Sequence, residues 1–191
     1  MTYEVTVVNY NPQWFEQFEQ EKERIQLALG DYDITVEHIG STSIVELPAK
    51  PIIDIAVGVN ELCQADVFIE PLSIIGYEYV PKEEFPARRF FRKGEWRKGT
   101  HHLHVYELGS DEWMNNLLFR DYLTEHPETR RQYAQLKEQL AKRYPDDRIT
   151  YTSLKGPFIQ AVIEKARTHI EMSIEMSIEM SIEKGCQGGF P

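Results

Sequence analysis

Two neighbouring runs of this chain carry residues suited to phosphate and metal chemistry. The first is Gly40-Ser41-Thr42-Ser43, which has no bulky side chain to block its backbone. Gly40 can take positive φ at little cost, so the N–H groups that follow can turn towards one point. A concave set of amides of this kind binds anions, phosphate above all, and more so where a helix starts just after it. The second is Asp54, set in the apolar run Ile52 to Val59. A lone carboxylate there is costly unless it is paired, hydrogen-bonded or bound to a cation. A phosphate-sized loop beside an acid on a neighbouring strand points to metal-assisted phosphoryl chemistry. Further on, the run His101 to Glu107 reads HHLHVYE. In a strand His102 and His104 share one face, and two such imidazoles can hold one cation, or a phosphate when protonated. Taken alone, His-x-His is more often a polar strand face. Lys82, Arg88, Arg89, Arg92, Lys93, Arg97 and Lys98 cluster against only Glu83, Glu84 and Glu95. For any one of them a solvated hairpin is the plain reading; together they fit a cationic wall facing a polyphosphate.

The elements that must position these groups follow from periodicity. Tyr3 to Val8 alternates like a short strand. Asn11-Pro12 supplies a helix cap and first residue, and Trp14, Phe15, Phe18, Ile25 and Leu29 then fall on one helical face, read as core. Thr35 to Ile39 is an apolar strand. Ile52 to Val59 is β-branched and apolar, as a strand buried in a sheet is. Glu61 to Ile75 reads as a helix broken or bent at Pro71, before a short strand from Tyr77 to Val80. Gly94 to Gly99 reads as a hairpin turn. Ser110 caps a helix from Asp111 to about Glu125, with Trp113, Met114, Leu117 and Leu118 as its apolar side. Pro127 starts another, striped by Tyr133, Leu136, Leu140 and Tyr144 and ended by Pro145. Arg120 and Arg130 fall on its solvent side and that of its predecessor. Gly156-Pro157 kinks or starts a last helix whose inner face is Phe158, Ile159, Val162, Ile163 and Ala166.

HIGSTS followed by AKPIIDI closely resembles the GrpB family of nucleotidyltransferase-like proteins. The resemblance extends through YNPQWFEQFEQE, RRFFRK, HHLHV and YTSLKGPFI, over roughly Tyr3 to Thr168. It implies an α/β nucleotidyltransferase-like fold, a mixed sheet with flanking helices. The wider superfamily pairs a Gly-Ser turn with Asp-x-Asp or Asp-x-Glu on the next strand. On that pattern Gly40, Ser41, Thr42 and Ser43 hold phosphate with Lys50, Arg89 and Lys155, while Asp54 is the catalytic acid and a metal ligand. A third superfamily carboxylate comes from a later strand; here His102 and His104 stand in that region as metal ligands. One departure matters: the second acidic position is Ala56, which shares a face with Asp54 and cannot ligate a metal.

Composition bounds the rest. The chain has 191 residues, 41% hydrophobic, with ten Tyr, nine Phe and three Trp, which fits an ordered domain with a real core. A net charge of −10 argues against a general nucleic-acid or anionic-membrane binder. No secretory signal opens it and no run approaches a membrane span. Two distant cysteines suggest no disulfide framework, so a cytoplasmic home is expected. The domain is expected over 1–169. Residues 170–191 form a low-complexity tail in which IEMS repeats three times; a four-residue period lets its Ile stripe drift around a helix. Cys186 in it is expected to be an exposed thiol. Three functions are compatible. One is an Mg²⁺- or Mn²⁺-assisted transfer of a nucleotidyl or phosphoryl group from a nucleotide or phosphorylated small molecule. Another is a non-catalytic nucleotide- or coenzyme-binding module, favoured by Ala56. The last is a hydrolase using Asp54, His102 and His104.

Overall fold

A computed structural model describes residues 5–95 and 98–186, with side chains to residue 177. Tyr3, Arg97 and the Cys186 side chain therefore lie outside the described residues. Five strands form one mixed sheet: β1 Thr35–Ile39, β2 Ile53–Val59, β3 Tyr77–Tyr79, β4 Arg88–Glu95 and β5 Lys98–Glu107, in the order β1-β2-β5-β4-β3. Only β2 and β5 run parallel. Both central strands are covered on at least one side, and Ile53, Ile55, Val57, Leu103 and Val105 are buried. The alternation of the strands puts these residues on one face, where helix α1 (Gln13–Ala28), a 3₁₀ segment (Leu62–Phe68) and helix α2 (Ile69–Ile74) complete the main core.

The other face takes Asp54, Ala56, His102 and His104. Near β1 it is closed by Ile39, Ala56, Tyr106 and Trp113. Trp113 belongs to α3 (Asp111–Glu125), which packs with α4 (Pro127–Arg143) and α5 (Arg148–Cys186). Ile44 and Leu47, from the connector after β1, bury themselves among these helices with Phe119, Leu123, Tyr133, Val162 and Ile163. The connector is thus clamped between the sheet and the helical layer.

Several expectations change. Tyr3 to Val8 is no strand over its described part: Val8 makes one isolated bridge, to Ala49. Phe15 is 63% exposed, because the buried arc of α1 runs Trp14, Phe18, Glu21, Ile25. Glu21 can lie there because Lys93 Nζ and Arg24 Nη1 reach it at 2.6 and 3.2 Å. Pro71 breaks nothing, since it falls in the first turn of α2, where its missing N–H has no intrahelical role. Met114 is exposed, and α3 buries Phe119 and Leu123 instead. Arg120 donates to Glu37 and to the His38 carbonyl, and Arg130 reaches Glu46 at 2.8 Å; both brace the sheet edge and connector. The last helix begins at Arg148, not near Pro157. Asp147 caps it, its Oδ1 accepting from the Thr150 amide at 2.9 Å. Pro157 lies inside α5, which continues to Cys186. No helix among the described residues is long and apolar enough to cross a membrane.

Candidate functional site

Gly40 closes β1 with φ 71°, a conformation that a side chain disfavours. A Cβ there would also fall 2.6 Å from Asp54 Oδ2, so glycine is required twice over. The turn that follows, Ser41–Ser43, is 3₁₀, and no α-helix begins after it. Its leading amides, those of Ser41 and Thr42, precede the first intrahelical acceptor and so have no partner within the turn. The Thr42 hydroxyl is buried and committed: it donates to the Ile52 carbonyl at 3.3 Å and contacts His38 Nε2 at 3.0 Å. His38 Nε2 must then carry the ring proton. Burial lowers the His38 pKa to about 4, which keeps the ring neutral as it stacks on Phe18. Ser43 Oγ donates to the Gly40 carbonyl at 2.6 Å. Thr42 and Ser43 side chains therefore shape the turn, and its backbone is what it can offer a ligand.

Asp54 pairs in register with Ile39 on β1 and His102 on β5. Its side chain is 32% exposed, and His102 Nδ1 lies 3.0 Å from Oδ1. Burial resists its ionisation, but the His102 hydrogen bond and the charges of His102, His104 and Lys50 outweigh this and hold its pKa below the ordinary value. His104 shares that face; burial takes its pKa to about 3, and its Nδ1 has no partner. The His102 and His104 rings are 6.4 Å apart. Among the described residues no three His, Cys, Asp or Glu side chains converge as a metal-ligating group. Asp54, His102 and His104 thus do not make a protein-only cage. The donor set fits an ion shared with a ligand's own oxygens, for which one carboxylate suffices. Ala56 is fully buried beneath Trp113 and Tyr106, so apolar packing fills the place of a second acid.

On the loop side of Asp54 the chain gathers cations. Lys50 comes from the connector, Lys137 from α4, and Arg148 and Lys155 from α5. Lys50 and Lys155 lie 5.5 and 4.6 Å from the Tyr151 ring centroid, and Lys137 lies 4.7 Å from that of Tyr133. Tyr133 in turn lies beside Ser41. Burial and the repulsion of Arg148 and Lys155 lower the Lys50 pKa to about 8. Burial and the repulsion of Lys155 and Lys50 lower that of Lys137 to about 7. Lys155 is lowered too, by burial first, with Asp54 acting against it. Lys137, 2% exposed, donates to the Pro48 carbonyl. Among the described residues none of the three lysines has a carboxylate within ion-pair distance.

The basic wall dissolves into pairs. Arg89 lies on the opposite face from Asp54 and binds Asp66 at 2.8 Å, so the structure does not bring it to the site. Arg92 binds Glu78, Lys93 binds Glu21, Lys82 faces Glu84 and Lys98 faces Glu95. Arg88 alone among the described members has no carboxylate partner, and it shares Asp54's face. The sequence marks neither Lys137, Arg148 nor Tyr151 for the site, reads Tyr133 only as helix core, and gives Arg88 only as one member of the basic run. Their spacing on α4, α5 and β4 carries no local sign that these elements converge on one loop. For Arg88, strand alternation against His104 was the signal that could have found it.

The family model described as GrpB protein matches residues 4–165. The chain is 41% identical over 163 residues to the UPF0157 protein YqkA of Bacillus subtilis, covering 85% of this chain and 47% of that protein. It therefore spans about half the length of that relative. The crystal structure of conserved protein GrpB from Enterococcus faecalis matches with TM-score 0.80 and 40% identity, over 86% of this chain and 99% of that one. The Cid1 poly(U) polymerase, solved bound to MgATP, matches with TM-score 0.51 and 16% identity, over 71% of this chain and 45% of that one. The fold is nucleotidyltransferase-like.

Proposed function

This chain belongs to the GrpB family, and from that premise we propose that it binds a nucleotide or phosphorylated small molecule together with a divalent cation. The observation that carries the reading is the group of Lys50, Lys137, Lys155 and Arg148, with no carboxylate partner among the described residues, gathered about Tyr133 and Tyr151 near Asp54. Lys50 and Lys155 are half-buried and Lys137 is buried, so their mutual repulsion is retained at a cost to stability, which a bound polyanion removes. The turn amides and the lysines take the phosphates. Asp54 would hold Mg²⁺ or Mn²⁺ jointly with the ligand's phosphate oxygens; such an ion draws charge from the phosphoryl group and steadies a leaving oxygen. The chain's own part is to fix the phosphates against Asp54 and to keep that carboxylate ionised.

Transfer of a nucleotidyl or phosphoryl group is the catalytic extension, and Ala56 limits it. With one carboxylate, two-ion chemistry lacks its second anchor, so transfer is slow or confined to an unusual acceptor. The burial of Ala56 in an apolar cluster favours, as second reading, a binding module that holds its ligand without turnover. The hydrolase reading has no three-ligand group to stand on among the described residues.

The test is a titration with tripolyphosphate and nucleoside triphosphates, with and without Mg²⁺ and Mn²⁺, followed by product analysis. Lys50→Ala and Lys155→Ala should each weaken binding tenfold or more, and Asp54→Asn should abolish only its metal-dependent part. Binding indifferent to both lysines would overturn the proposal. Rapid turnover of ordinary nucleoside triphosphates would instead remove the binding-module reading.

A further inference from the structure

Three buried side-chain polar atoms without a partner lie together on Asp54's side of the sheet: Arg88 Nε, His104 Nδ1 and Glu112 Oε2. They lie around Tyr106, on whose ring His104 stacks. Arg88 is directly across from Tyr106 in the β4–β5 register and its charge acts on that residue, and Asn116 Nδ2 donates to the Tyr106 hydroxyl at 3.4 Å. The charge of Glu112, one turn before Asn116 on α3, also acts on Tyr106, and Arg88 acts on His104. Arg88 and Glu112 thus share a neighbour yet do not pair with each other. An orphaned buried donor or acceptor costs about 1–3 kcal/mol. Folds remove such groups or satisfy them unless a ligand uses them. Each of the three residues keeps part of its surface exposed, so a ligand can reach the cluster once the side chains covering its orphaned atoms move.

The chemistry of the cluster limits what completes it. Arg88 offers a donor and Glu112 an acceptor, so the missing group presents an acceptor and a donor along one edge. Between them and Asp54 lies a floor of rings. Phe90 is part-exposed, with His104 at 4.9 Å and His102 at 5.4 Å between centroids, and His104 stacks on Tyr106 at 5.9 Å. A flat ring with a mixed hydrogen-bonding edge is a nucleobase. A metal held by side chains alone does not fit, since among the described residues no three ligating side chains converge. From β2 to β4 is two strand spacings, roughly 10 Å. One ligand can therefore lie across Asp54, with its phosphates towards the lysines and its ring on β4.

We infer that Arg88, His104 and Glu112, with Phe90 as platform, form a subsite for a nucleobase. It deepens the phosphate-site reading above by selecting nucleotides over phosphorylated molecules without a base. The experiment titrates the full chain with adenosine, guanosine, cytidine and uridine, their triphosphates, and tripolyphosphate, followed by calorimetry and NMR. Arg88→Met and Glu112→Leu should each weaken at least one nucleoside and its triphosphate tenfold or more while leaving tripolyphosphate unchanged. Because each removes an orphaned polar atom, neither should lower the urea midpoint beyond the small loss of Arg88's contact with the Phe85 ring, 4.3 Å away. Phe90→Leu should weaken the same nucleoside by loss of stacking. Lys155→Ala should do the reverse, weakening tripolyphosphate and sparing nucleosides. The inference is overturned if no nucleoside binds the wild type, if binding ignores Arg88→Met and Glu112→Leu, or if both variants lose stability in step with affinity, which marks a structural cluster. Nucleoside binding without tripolyphosphate binding would sink the phosphate site and leave this subsite standing.

Discussion

Lys137 places a buried ammonium group where the repulsion of Lys155 and of Lys50 each outweighs the attraction of Glu138. Its pKa of about 7 lies far below the ordinary 10.5. Between those values the unfolded chain binds a proton that the folded chain refuses, so stability of the ligand-free protein rises with pH across the window. Lys50 adds the same sign from about 8 upwards. Lys137→Met removes one titration, although it also removes the hydrogen bond to Pro48. Its gain over wild type should be greatest at pH 7, of order 1–3 kcal/mol, and should fade by pH 10. Urea unfolding of both proteins across that range is the measurement; parallel curves would show that Lys137 does not titrate there. A polyanion acts oppositely, raising both lysines' affinity for protons. Binding of tripolyphosphate at pH 8 should therefore take up of order one proton, readable by calorimetry in two buffers of different ionisation enthalpy.

At the scale of elements, β1, the turn and β2 act as one unit that holds Asp54 against a backbone. Gly40 is its hinge point. Gly40→Ala must carry a side chain at φ 71° and place a Cβ within 2.6 Å of Asp54 Oδ2. The backbone strain alone costs roughly 1–2 kcal/mol, and the carboxylate must also move. The variant should unfold at a lower urea concentration and lose the metal-dependent part of nucleotide binding, while lysine-dependent binding of tripolyphosphate largely survives. Retention of the full metal dependence would mean that Asp54's position is not set by this contact. The sheet register does comparable work for His102 and Arg88: one-residue slips would turn both away from Asp54.

At the scale of the whole molecule, the two sheet faces divide the labour. One is sealed by α1, α2 and the 3₁₀ segment; the other is half covered by the helical layer and leaves Asp54 part-exposed. The final stretch of α5 adds little to either. Val162, Ile163 and Ala166 are the last of its residues in the core, while Ile170, Met172, Ile174 and Met176 are exposed. Removal of residues 170–191 should therefore shift the thermal midpoint by no more than a few degrees and leave ligand binding unchanged. A large loss of stability, or a change of oligomeric state, would assign the repeat a structural role that the core does not require.

The sequence by itself determined the strand–turn–strand unit. Its signals are local: a small-residue turn, β-branched alternation and a single acid in an apolar run. It put His102 and His104 on one face of their strand, and Asp54 and Ala56 on one face of theirs, because a period of two fixes which side chains share a face; that the two faces coincide is set by the β2–β5 register. It also identified Lys50 and Lys155 beside the family motifs. Helix boundaries were less legible, as α5 shows: Pro157 mimics a start, while the deciding signal is the Asp147 cap. What only the tertiary structure decided is which charges are spent. A basic run looks uniform in sequence, yet Arg89, Arg92 and Lys93 are neutralised by Asp66, Glu78 and Glu21, each distant in the chain. Lys137 and Arg88 remain without carboxylate partners for the same reason: the neighbours that would pair or repel a charge are set by packing between elements, and no local pattern encodes them.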